Sequence, residues 1–237
     1  MATDFKQIYA AQAARYDALV SREDYQGNLP STLRQIRDFT RLRVVDVGAG
    51  TGRITRLLAP YVDWITAVDL SPHMLQQAKR KLGEEGATNC FLAAADARHL
   101  PFCPGIADVA IAGWALGHSV GWYPESWQTE IGQAIAAMQN SLRPDGALIL
   151  IETMGTGAKS PAPPTPGLAA YYAWLQNDLG FQHTTIPTEY RFHSVSEAVE
   201  LTQFFFGSAL AETIQQQQLT ILPEFTGIWW KEMDRMV

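Results

Sequence analysis

The chain has 237 residues, a formal charge of -6 at neutral pH, 47% apolar residues and 18% charged residues. That balance excludes an intrinsically disordered chain and gives enough apolar side chains for a substantial core. An acidic surface of this kind opposes binding to a nucleic-acid backbone unless the fold gathers a basic patch. The nearest candidate for one, Arg34, Arg37, Arg41 and Arg43, reads as a solvated helix face and the start of a strand. Two cysteines, Cys90 and Cys103, form no Cys-x-x-Cys pair, so no metal pattern is expected. No basic segment leads into a long apolar core near the first residue. Apolar runs such as 107–112 are too short to span a bilayer. The expectation is a cytoplasmic protein with no membrane partner, acting as a monomer or homodimer.

In chain order, Phe5, Ile8, Tyr9, Ala13, Tyr16 and Leu19 or Val20 recur at helical spacing over residues 4–20. This helix is either a surface element or a cap over a ligand site. Asp24 to Pro30 is a turn-rich break, and Ser31 is placed to cap a helix running to about Thr40. Next comes Val44-Val45-Asp46-Val47-Gly48-Ala49-Gly50-Thr51-Gly52-Arg53. A short apolar run, a glycine-rich turn and an amphipathic stretch read as buried strand, tight loop and helix. Ile54, Leu57 and Leu58 supply the apolar face of that helix, and Pro60 marks its end.

The Asp-x-Gly-x-Gly-x-Gly pattern of residues 46–52 resembles the first motif of the class I S-adenosylmethionine-dependent methyltransferases, in particular the small-molecule members. A dinucleotide fingerprint needs Gly-x-Gly-x-x-Gly, and that frame here meets Arg53 instead of its last glycine. The resemblance implies an α/β fold, a Rossmann-like seven-stranded mixed sheet with helices on both faces and an antiparallel edge hairpin. It implies S-adenosylmethionine as cofactor, S-adenosylhomocysteine as product, and Asp46, Gly48, Ala49, Gly50 and Gly52 at the cofactor. In the resembled family an N-terminal segment often covers the cofactor, and Tyr16-Asp17 is similar to a tyrosine-aspartate feature of some small-molecule members. Packing accounts for these aromatic residues equally well.

Trp64 to Asp69 is the next strand. Asp69, 23 positions beyond Asp46, is expected beside the glycine loop, where a carboxylate can accept from both hydroxyls of a ribose. Helix capping is the alternative, with Ser71-Pro72 also able to start the helix. Leu70 and Met74 are the apolar residues the family would place against an adenine ring, although a buried methionine is ordinarily core filler. Cys90 to Ala95 reads as a short strand followed by Asp96 and Ala97. The resemblance puts the Asp96 carboxylate on the adenine amino group and the Ala97 N–H on a ring nitrogen. Asp96 can instead cap a turn over 97–100.

Ala107 to Ala112 is a further strand, with Asp108 at its start and Trp114 at its exit, in a stretch that resembles the family segment running beside the cofactor. Trp114, His118, Ser119, Trp122 and Tyr123 gather there as an aromatic acceptor wall. His118 is the candidate for orienting or deprotonating an acceptor, against the alternative of a structural histidine. Glu125 to Leu142 reads as a helix, Arg143 to Gly146 as a turn, and Ala147 to Glu152 as a strand. Glu152 either serves the acceptor pocket or is an ordinary surface acid. Gly155 to Gly167 is a proline-rich loop, and Ala169–Leu179 a helix that can cover the acceptor. Residues 181–192 are extended, with Tyr190 assigned to the acceptor pocket.

Ser194 with Glu197 three places on is a capping box. A helix follows with a break at Gly207, and Phe204, Phe205 and Phe206 are expected to be buried. Phe225–Trp230 is the last strand. The expected division is one domain over 1–237. It contains a helical cap over 1–40, a cofactor core over 41–155, an acceptor cover over 156–193, and a final helix and strand over 194–237. The expected reaction is methyl transfer to a small, partly apolar acceptor, with no metal. The alternatives are a nucleotide-dependent oxidoreductase and a noncatalytic cofactor-binding or interaction protein.

Overall fold

The computed structural model describes residues 11–233; Phe5, Ile8 and Tyr9 of the expected first helix lie outside them. Seven strands form one sheet in the order β3-β2-β1-β4-β5-β9-β6. They are β1 (Arg43–Val47), β2 (Trp64–Asp69), β3 (Cys90–Ala94), β4 (Ala107–Gly113), β5 (Leu142–Thr156), β6 (Gln182–Pro187) and β9 (Glu224–Glu232). Strands β1 to β5 pair in parallel, while β9 runs antiparallel to both β5 and β6. This is the expected mixed Rossmann-like sheet. Its antiparallel edge is not a tight hairpin, because residues 188–223 intervene between β6 and β9.

Burial explains why β1, β4 and β5 are the centre. Val44, Val45, Val47, Val109, Ala110, Ile111, Leu148, Ile149 and Ile151 are each fully buried, as strands covered on both faces require. One face packs under α6 (Trp127–Ser141) and α7 (Pro166–Asn177), through Ile131, Met138, Tyr171 and Leu175. The other packs under α2 (Asn28–Ile36) and α3 (Arg53–Leu58), through Leu29, Leu33, Ile54 and Leu58. Trp229 of β9 is fully buried, its ring 4.5 Å from Tyr172 and 4.4 Å from His183. Gly227 is required beside it, because a Cβ there would collide with the Trp229 ring.

A third cluster lies under the segment inserted between β6 and β9. Here β7 (Tyr190–Arg191) pairs with β8 (Ile221–Leu222), while α8 (Val195–Phe206) and α9 (Ser208–Gln217) pack against α1 (Ala13–Val20) through Leu19, Tyr190, Leu201 and Ile214. Ser194 caps α8, accepting from the Glu197 N–H at 3.1 Å, and Glu197 reaches back to the His193 N–H at 2.6 Å. Gly207, with φ of 90°, separates α8 from α9.

Three local expectations change. Helix α2 begins at Asn28 instead of Ser31, because both Asp24 carboxylate oxygens take its first N–H groups, Asn28 at 2.9 Å and Leu29 at 3.0 Å. Residues 143–146 are not a separate turn: β5 runs through them with a bulge against β4, and Asp145 holds φ at 67°. Phe204, Phe205 and Phe206 are half-buried, not buried. Phe205 lies 5.5 Å from the Tyr16 ring.

Candidate functional site

Strand order reverses between β1 and β4, and the loops leaving β1, β2, β3 and β4 border one cavity of about 600 Å³. Open parallel sheets place ligands at this point, beyond the strand ends. The glycine loop forms one wall. Gly48, Gly50 and Gly52 all have positive φ, at 71°, 55° and 83°. Gly48 is the tightest, since a Cβ would fall inside the contact distance of Ala115. Gly52 does not line the cavity. It precedes α3 and faces Ala78 of α4 (Pro72–Glu84), whose Cβ would be 3.1 Å from an added one.

Asp69 closes the loop from the end of β2. One of its carboxylate oxygens accepts from the Gly50 N–H at 2.8 Å and the other from the Ser71 N–H at 2.7 Å. Burial raises its pKa while these two donors oppose the rise. Ser71 caps α4, so the acid and the cap coexist. Leu70 is 71% exposed beside them, and Met74 is buried below Gly50. Asp46 is fully buried at the end of β1. Its Oδ2 accepts from Thr55 Oγ1 at 2.6 Å, while Oδ1 has no partner among the described residues. Burial pushes this carboxyl up to about 7.

Asp96 and Ala97 reach the same cavity after β3. Sequence reasoning missed their partner, Arg98. Its backbone N–H and Nε each lie 2.9 Å from Asp96 Oδ1, its Nη2 meets Oδ2, and its Nη1 reaches Glu130. These bonds hold the Asp96 carboxyl below its usual range.

The opposite wall comes from the exit of β4. Trp114 donates its N–H to Ile151 O at 2.6 Å and holds φ at 52°, a left-handed conformation that side chains rarely adopt. The turn aims the chain into α5 (His118–Trp122). His118 stacks on Trp122 with centroids 5.1 Å apart, and burial lowers its pKa to about 4. Tyr16, Trp114, His118, Trp122 and Tyr123 all line the cavity. Asp108 stands apart at the start of β4, paired with Arg43 and Arg143.

Glu152 and Tyr190 do not line it. Glu152 is buried behind α5, accepting from the Gly117 N–H at 2.8 Å and from the Leu116 N–H; burial raises its carboxyl to about 8. Tyr190 is buried against Glu23, whose carboxylate pairs with Arg53 at 2.7 Å. Arg53 lines the cavity with its guanidinium carbon 4.0 Å from the Trp114 ring centre. Neither Glu23 nor the reach of Arg53 was legible from spacing.

Residues 44–146 match the family described as methyltransferase domain. The chain is 31% identical over 153 residues to malonyl-(acyl-carrier protein) O-methyltransferase of Halorhodospira halophila, covering 63% of this chain and 48% of that protein. It spans about half the length of the curated relatives it matches. The solved YcgJ protein from Bacillus subtilis superposes with a TM-score of 0.62 at 16% identity, over 90% of this chain and all of that one. The chain has the class I S-adenosylmethionine-dependent methyltransferase fold.

This methyltransferase fold is shared with the solved cyclase SpnF, at a TM-score of 0.56 and 18% identity over 88% of this chain and 81% of that one. Architecture therefore does not name the reaction. The cavity itself fits S-adenosylmethionine chemically. Gly48, Ala49 and Gly50 line it, the buried Asp46 Oδ1 lacks a donor among the described residues, and Asp69 is fixed with lone pairs to spare. Among the described residues no group of three metal-ligating side chains gathers, and no helix is long and apolar enough to cross a membrane.

Proposed function

We propose that this protein transfers a methyl group from S-adenosylmethionine to a small, partly apolar acceptor. The observation that carries the reading is one cavity with the glycine loop, Asp69 and Asp96 on one side and the Trp114–Tyr123 aromatic segment on the other. When bound, the cofactor supplies an electrophilic methyl group and departs as S-adenosylhomocysteine.

In this reading Asp46, Gly48, Ala49 and Gly50 hold the amino-acid end of the cofactor, and Gly52 keeps the loop close to α4. Asp69 takes the ribose hydroxyls, while Leu70 and Met74 supply apolar surface to the base. Asp96 meets the base through lone pairs not used by Arg98, beside the Ala97 N–H. Trp114 forms the boundary with the acceptor. His118, kept neutral by burial, is available at neutral pH as a hydrogen-bond partner or base. Tyr16, Trp122 and Tyr123 enclose the acceptor. Glu152 positions His118 through Leu116 and Gly117, and Tyr190 acts through Glu23 and Arg53. Both therefore serve the pocket from behind its wall. The acidic net charge favours a small molecule over nucleic acid, in a cytoplasmic monomer or homodimer.

Titration with S-adenosylmethionine and NAD, followed by a methyl-transfer screen on small molecules, nucleic acid and proteins, tests the proposal. Binding of S-adenosylmethionine is expected at roughly micromolar dissociation constants, with NAD much weaker. Preferential NAD binding would overturn the cofactor assignment. Cofactor binding without turnover on any acceptor class would favour a noncatalytic role.

A further inference from the structure

Arg53 occupies the place where a dinucleotide frame would need glycine, and its side chain leaves the cofactor loop for the far wall. Its Nη1 pairs with Glu23 Oε2, and its guanidinium carbon lies 4.0 Å from the centre of the Trp114 ring. Guanidinium carries five N–H donors. Among the described residues Glu23 is its one hydrogen-bond partner, which leaves Nε and Nη2 for a ligand in a cavity that Arg53 itself lines.

The pair is oriented. The Glu23 side chain is 4% exposed and that of Arg53 21%. Burial and the neighbouring Glu23 raise the carboxyl of the second acid of the cluster, Glu224, which favours its protonated form. Burial likewise keeps the Tyr190 hydroxyl protonated. Negative charge therefore sits behind the wall, and the positive end faces the cavity. A planar fork held against an aromatic ring suits a planar two-oxygen group, and such charge-assisted pairs strengthen where water is excluded.

Resting on the methyltransferase reading, we propose that Arg53 anchors a carboxylate of the methyl acceptor beside Trp114, making it the residue that selects acidic acceptors. Because Arg53 begins α3, directly after the glycine loop, one short segment then serves cofactor and acceptor together.

The test uses benzoate, cinnamate and indole-3-acetate, each against its primary amide, titrated into the full chain with and without S-adenosylhomocysteine. At least one acid is expected to bind ten-fold or more tighter than its amide. Arg53→Gln should remove that preference while leaving the S-adenosylhomocysteine Kd within about threefold. Glu23→Gln keeps an oxygen acceptor for Nη1 but removes the competing negative charge, and should tighten the acid several-fold. Since Arg53→Gln alone leaves Glu23 buried without its cation, the double variant Glu23→Gln/Arg53→Gln supplies a folded control that must also lack the preference. Equal affinity for acid and amide, a preference that survives in the double variant, or no binding of any acid at millimolar concentration overturns the proposal. Failure of the wild-type chain to bind S-adenosylhomocysteine would instead overturn the methyltransferase reading, and the titrations without it would still decide the role of Arg53.

Discussion

Thr51 of the glycine loop donates its hydroxyl to Asp17 of α1 at 2.9 Å, and Lys81 of α4 reaches the same carboxylate oxygen at 2.6 Å. All three groups are largely buried, so α1 is fastened to the loop and to the helix behind it. Asp17→Ala would leave the Lys81 ammonium without its anion, and a broken buried pair costs more than a lost surface one. The expected loss is about 2–4 kcal/mol in denaturant unfolding, with weaker S-adenosylmethionine binding because α1 no longer braces the loop. Thr51→Val should cost about 1 kcal/mol, the scale of one hydrogen bond.

Asp69 is the second target. Asp69→Ala removes the acceptor from two backbone donors, Gly50 and Ser71, as well as from the ribose in the proposed complex. Calorimetric titration should show S-adenosylmethionine binding weakened by about 1–3 kcal/mol, the range for hydrogen bonds to a charged group. Unchanged affinity in a folded variant would remove Asp69 from that role.

Glu152 predicts a pH dependence of stability. Its folded carboxyl sits at about 8 against an ordinary 4.5, so the native state binds the proton more tightly than the unfolded chain. The resulting stability is complete below about 4.5 and is lost as pH rises through about 8. Glu152→Gln keeps an oxygen acceptor for Leu116 and Gly117 without an ionisable group. Relative to wild type, the variant should therefore gain stability steadily from pH 5 to 8. Urea melts across that range check it, and a constant difference would contradict a buried neutral acid.

His118 is shifted the other way, down to about 4, so it stays neutral well below its ordinary range. Turnover dependent on a neutral His118 should persist down to about pH 5 instead of falling near 6.5. His118→Ala should cut kcat by about 10²-fold or more if the ring takes the acceptor proton, with the S-adenosylhomocysteine Kd little changed. A loss confined to KM would indicate orientation only.

The strands were legible because their apolar runs and turn residues are local. Val44–Val47 with Gly48, Trp64–Val68 with Asp69 and Ala107–Ala112 each announce a buried strand and its end within a few residues. Parallel pairing then brings those ends to one edge, so the order Asp46, Asp69, Asp96 and Trp114 along the chain already contained one rim of the cavity. The start of α2 differs because Ser31 is a good cap in isolation, while the Asp24 carboxylate four residues before the helix takes the N–H groups of Asn28 and Leu29.

What the sequence by itself determined, then, is what depends on neighbours in the chain: the period of the strands, the glycine turn, the Ser194 capping box. Tertiary structure alone decided which distant charges meet. Arg53 and Glu23 are 30 residues apart, Lys81 and Asp17 are 64 apart, and Glu152 serves Gly117 from 35 residues away. A charge can be buried only with a partner, and any of several acids could satisfy an arginine as far as spacing is concerned. The choice is made by which side chains the packed sheet and helices bring within hydrogen-bond reach. That is why Tyr190 and Glu152 lie behind the cavity wall while Arg53 forms part of it.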